Sequence, residues 1–64
     1  MLIITREVTI NFDKIRVMYV ENEQLIFSYS RGKDCLIFKS SEEAHKARRL
    51  IESAYAHGEK ICKV

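Results

Sequence analysis

With 64 residues, 47% of them hydrophobic and 31% charged, the chain has the composition of a folded protein and is short for more than one domain. Its formal net charge of +2 is too small to announce nucleic acid or an anionic membrane by itself. A chain this short buries only about 60% of the surface its unfolded form exposes, so a disulfide, a metal or an oligomeric interface is the usual supplement.

Neither of the first two supplements is expected. Cys35 and Cys62 lie far apart, and neither belongs to a C-x-x-C pair. His45 and His57 fall on one expected helix roughly 18 Å apart along its axis, so they cannot share an ion within a chain. No metal and no cofactor are therefore expected. Two unpaired thiols suit a reducing compartment. The apolar opening Met1-Leu2-Ile3-Ile4 stops at Thr5-Arg6-Glu7, too short for a secretory or membrane segment. A cytoplasmic protein with no membrane partner is the expectation. There is no proline, no repeat and no linker composition, so residues 1–64 read as a single domain.

Residues 2–12 alternate. Leu2, Ile4, Val8, Ile10 and Phe12 share one parity with Arg6 as the only intruder, which is the pattern of a strand with one buried face. Arg6-Glu7 is a poor tight turn because neither residue favours positive φ. One long strand with a bulge near Arg6 is preferred to a hairpin. Asn11-Phe12-Asp13-Lys14 then breaks the pattern with two turn formers.

Arg16–Val20 is β-branched and aromatic, a second strand. Asn22-Glu23 is the centre of a turn, Leu25–Tyr29 a third strand, and Cys35–Phe38 a fourth after the turn at Arg31-Gly32-Lys33. A turn on Asn22-Glu23 sets Val20 opposite Leu25 and Met18 opposite Phe27. A two-residue turn at Arg31-Gly32 would add Leu36 beside Phe27 and Phe38 beside Leu25, whereas a three-residue turn would exchange the faces of the last strand. In the two-residue register, the second face carries Val17, Tyr19, Ile26, Ser28, Cys35 and Ile37.

Ser40-Ser41-Glu42-Glu43 is a capping box, with Ser40 as N-cap and Glu43 three residues on. The helix is expected over about residues 41–57, ended by Gly58 in the left-handed conformation. Ala44, Ala47, Leu50, Ile51, Ala54 and Tyr55 form its apolar stripe. Residues 59–64 are a short tail that adds a strand, covers the second sheet face or frays. The fold class is thus α+β: an antiparallel meander of four to five short strands closed by one C-terminal amphipathic helix.

No motif demands an active site. A nucleophile elbow, a phosphate-binding glycine loop and a zinc-protease helix are all missing. Cys35, in a strand, reads as a small core residue, and Cys62, in the tail, as the more reactive thiol. Non-enzymatic function is the expectation. The basic residues Arg31, Lys33, Lys46, Arg48 and Arg49 are candidates for anion or nucleic-acid contact, although Glu42, Glu43 and Glu52 are spaced to pair with the helical ones. The apolar surplus points elsewhere. Val17, Tyr19, Ile26 and Ile37 exceed what one helix covers, and monomers seldom expose patches above a few hundred Å² without purpose.

The order Ile10-Asn11-Phe12-Asp13-Lys14-Ile15, an aromatic-rich hairpin, a glycine turn and the Ser-Ser-Glu-Glu-Ala helix start resembles small proteins of phage genomes and bacterial operons built as a pleckstrin-homology-like meander plus helix. The resemblance covers most of residues 8–57 and carries no functional residues over. It implies a setting rich in tiny binding proteins, among them inhibitors of host defence that occupy a protein surface or sequester a small ligand. The expected function is therefore a protein-interaction module, a homo-oligomer that also binds another protein and modulates it. The alternatives are a nucleic-acid-binding accessory protein using the basic helix face, and an oligomer that sequesters a small ligand such as a nucleotide between subunits.

Overall fold

In the computed structural model, which describes residues 1–64, the first apolar run folds back on itself at Thr5. β1 (Leu2–Ile4) and β2 (Thr9–Asn11) are antiparallel, so the expected bulged strand is replaced by a hairpin. Its turn has no glycine. Thr5 donates to the Val8 carbonyl through both its backbone N–H (3.0 Å) and its hydroxyl (2.6 Å), and its Oγ1 accepts from the amides of Val8 and Glu7. A threonine hydroxyl tying down the amides that follow it substitutes locally for glycine-based turn geometry.

The hairpin also changes the inward parity. Ile3 now pairs with Ile10, and both are buried, whereas Leu2 is 43% exposed. Asn11 then caps a short 3-10 turn at Phe12–Lys14, its Oδ1 accepting from the Asp13 amide at 3.0 Å. That turn aims Phe12 at the helix, where its ring stacks on Tyr55 with centroids 4.6 Å apart.

β3 (Val17–Glu21), β4 (Gln24–Ser28) and β5 (Lys33–Ile37) form the antiparallel meander. The first connection has the expected register, Val20 opposite Leu25 and Met18 opposite Phe27, with Asn22 in the left-handed region at φ 56°. The second connection is centred one residue earlier than expected, on Ser30-Arg31. It runs from Tyr29 to Gly32, closed by a Tyr29 N–H to Gly32 carbonyl bond of 3.0 Å, with Gly32 at φ 90°. Leu36 therefore faces Leu25 and not Phe27, while Asp34 faces Phe27. The slip is even, and with side chains alternating at period two it leaves each face's membership unchanged.

Ser40 starts α1 (Ser41–Ala56), its Oγ accepting from the Glu43 amide at 3.2 Å. The Glu43 carboxylate reaches one residue further back than a capping box requires and accepts from the Lys39 amide at 3.2 Å. The other end is a Schellman motif. Gly58, at φ 73°, donates to the Tyr55 carbonyl and Glu59 to the Ala54 carbonyl. The His57 ring adds Nδ1 to the Ser53 carbonyl at 2.7 Å. The buried stripe is narrower than expected: Ala44, Ala47 and Ile51 are buried, but Leu50 and Tyr55 are more than half exposed.

The tail becomes a strand. β6 (Ile61–Lys63) lies parallel to β1, giving a second sheet in the order β2-β1-β6 beside β3-β4-β5. Ile10, Ile3 and Cys62 form one cross-strand rank, and all three are buried. They join Leu25, Phe27 and Leu36 from the meander and Ala47 and Ile51 from α1 in a single core. Met18, Val20 and Phe38 pack on its margin. The chain is thus α+β, a meander and one helix, with the helix followed by a last short strand. Full burial of a side chain such as Phe27, Ile3, Leu25 or Ile51 is worth about 1.5–3 kcal/mol.

The two cysteines exchange their expected places. Cys62 is a core residue and Cys35 is exposed. Cys35 falls on the outward parity of β5, whereas parallel pairing with β1 turns Cys62 inward.

Candidate functional site

Two surfaces stand out. The first is the outer face of the meander. Alternation on three paired strands places Val17, Ser28 and Lys33 in one rank, Tyr19, Ile26 and Cys35 in the next, and Glu21, Gln24 and Ile37 in the last. Ile26 sits at the centre and is 4% exposed, while Val17 and Ile37, on one diagonal, are 55% and 69% exposed. The other diagonal ends in opposite charges, Glu21 on β3 and Lys33 on β5. All four residues singled out from the sequence, Val17, Tyr19, Ile26 and Ile37, share this face. The helix and the second sheet pack on the other side, since the core they enclose contains Leu25 and Phe27 but not Ile26.

The second surface is an open groove of about 720 Å³ between α1, the end of β5 and the turn of the first hairpin. Its floor is apolar, made by Ile37, Phe38, Ala47, Leu50 and Val64. Arg6, Lys39, Lys46 and Arg49 supply four cationic side chains along it, against one acidic side chain, that of Glu43. That carboxylate is held by the Lys39 amide. None of the four cations has a carboxylate oxygen within ion-pair distance; the only side-chain pair of this kind on the helix is Arg48 with Glu52, at 3.6 Å.

The basic residues expected to act together are divided among several places. Lys46 and Arg49 line the groove. Arg48 pairs with Glu52, and its Nε is shut off from solvent without a hydrogen-bond acceptor. Lys33 belongs to the outer sheet face. Arg31 lines a smaller hollow with Lys14 and Tyr29. The ring of Tyr29 packs against the core and its hydroxyl donates to Asp34 Oδ2 at 2.7 Å. Burial, then the hydrogen bond and the negative charge of Asp34, push the phenol up to about 12.

Arg6 is the groove cation that sequence reasoning did not single out. No local signal marks it, because it comes from the first hairpin and reaches the groove only through tertiary packing. The structure contains no cluster of three or more metal-ligating side chains. No helix is long and apolar enough to cross a membrane. No family model, no curated protein and no solved structure matches the chain.

Proposed function

We propose that the protein is a non-enzymatic interaction module that works through the outer face of β3, β4 and β5, with a second copy of this chain as its first occupant. The supporting observation is the pattern of that face: an apolar diagonal, Val17–Ile26–Ile37, crossed by a diagonal with Glu21 at one corner and Lys33 at the other. A dimer with a two-fold axis must use one patch on both copies. An axis lying in the interface, through Ile26 and across the charged diagonal, sets Glu21 of each copy near Lys33 of the other. The apolar diagonals then meet at the centre, with the two sheets crossing steeply, a known mode of sheet packing.

Three strands and three ranks cover roughly 300 Å² at ordinary strand spacings. That is well below the ≈ 800 Å² per partner of a standard stable interface, so association is weak and depends on concentration. A weak self-contact leaves the same face available to a different protein. In the phage or mobile-element setting implied by the resemblance, the module inhibits or modulates a host protein by covering part of its surface.

Sedimentation velocity over a wide concentration range tests the self-contact. Val17→Glu is expected to abolish it, Glu21→Lys and Lys33→Glu each to weaken it, and the double charge exchange to restore it. A chain that sediments as a 7.5 kDa monomer at every concentration would overturn the dimer.

A further inference from the structure

We propose that the groove between α1 and the end of β5 is a binding site for a small amphiphilic anion, a molecule with an apolar body and one carboxylate-like or phosphate-like group. This goes beyond the interaction surface and does not depend on it. The two sites have only Ile37 in common.

The charge of the groove favours an anion. Arg6, Lys39, Lys46 and Arg49 share one groove, and no carboxylate oxygen pairs with any of them. Like charges brought together at a single concavity repel one another, and an anion relieves that repulsion. Glu43, whose carboxylate accepts from the Lys39 amide, offsets only part of that charge, because four cationic side chains face one acidic side chain. The chain as a whole is nearly balanced at +2, so this concentration of positive charge is local.

The floor favours an apolar body on the same ligand. Phe38, Leu50 and Val64 present apolar surface beneath the cations, and Leu50 remains 52% exposed although it belongs to the helix's apolar stripe. A phosphate ion alone would leave that surface wet. A neutral apolar molecule would leave the cations without a counter-charge. A ligand with both parts satisfies both, and a volume of about 720 Å³ falls within the range of ≈ 300–1,000 Å³ usual for small-molecule sites. The helical spacing fits the same division. Lys46 and Arg49 are neighbours at i,i+3, and Leu50 lies one turn on from Lys46.

Decanoate is a suitable probe, followed by amide chemical shifts in a two-dimensional NMR titration. Saturable shifts are expected at Phe38, Lys39, Lys46, Ala47 and Leu50. Lys46→Glu and Arg49→Glu, both at exposed helix positions, should each weaken binding about tenfold, the scale of one lost charge-assisted hydrogen bond. Leu50→Gln should weaken it with the charges intact. Decanol, the neutral counterpart, and inorganic phosphate should each bind far more weakly than decanoate. Val17→Glu, outside the groove, should bind decanoate as the unmodified chain does, which separates this site from the dimer face. The site is overturned if decanoate gives no saturable shifts, if those shifts map to Val17, Tyr19 and Ile26, or if either decanol or phosphate matches decanoate.

Discussion

Ile26 and Phe27 are neighbours on β4, and both are buried, at 4% and 0% exposure, yet they are covered in different ways. Phe27 points into the core shared by both sheets and α1. Ile26 points the other way, flanked by Tyr19 and Cys35 in its own sheet, and lies outside that core. A central strand shields its outward side chain through its neighbours, so low exposure alone does not show that a residue is held by tertiary packing. The inner face holds the fold together. The outer face leaves Val17 and Ile37 open to solvent.

The thiols give the widest separation between the two faces. Cys35 lies on the outer face and Cys62 in the core. Burial, with Glu59 adding repulsion, pushes the Cys62 thiol up, and the thiolate is the reactive form. In native buffer a disulfide reagent should label Cys35 freely. Cys62 should react at least about a thousand times more slowly, limited by opening of a chain whose folded form is favoured by about 10³ or more. Equal labelling rates would erase the distinction between the faces.

Truncation is the next largest contrast. Phe27→Ala removes a core ring and should cost about 3–5 kcal/mol, a large share of the roughly 3–10 kcal/mol expected for a chain of this length. Urea denaturation would register it as loss of the folded baseline. Val17→Glu, on the outer face, should cost less than about 1 kcal/mol while abolishing self-association. Comparable destabilisation by the two would mean that the outer face is structural after all.

The smallest effect concerns the inner margin at alkaline pH. Tyr29 titrates at about 12 when folded and near 10 when unfolded. Its folded pKa is raised, so the folded state holds the proton more tightly. The corresponding stability is fully present below about pH 10 and is lost as pH rises towards about 12. Denaturation midpoints between pH 9 and 11.5 should fall with a shallower slope in Tyr29→Phe. An unchanged slope would show that other groups govern alkaline unfolding.

Much of this was legible in the residues. The helix was, because Ser40, Glu43 and Gly58 act through hydrogen bonds to amides and carbonyls only a few residues away. The membership of both meander faces was too, since alternation survives an even change of register. The hairpin at Thr5 was not: Arg6-Glu7 is a poor turn by backbone preference, and the threonine preceding it supplies the missing bonds. Of the candidate site residues, the four on the outer face came together as expected. The five cations did not, because a residue's place on one helix turn says nothing of what packs beside that helix.

Alternation, caps and turn formers therefore determined the α+β class, the meander, the start and end of α1 and the composition of its sheet faces. All of these depend on interactions between near neighbours in the chain. Only the tertiary structure decided that the tail pairs with β1, that Cys62 is the buried thiol, and that Arg6 joins Lys46 and Arg49 at one groove. Those outcomes need contacts between residues far apart in sequence. Such contacts form only when the shared core of two sheets and a helix is assembled, and local pattern carries no record of them.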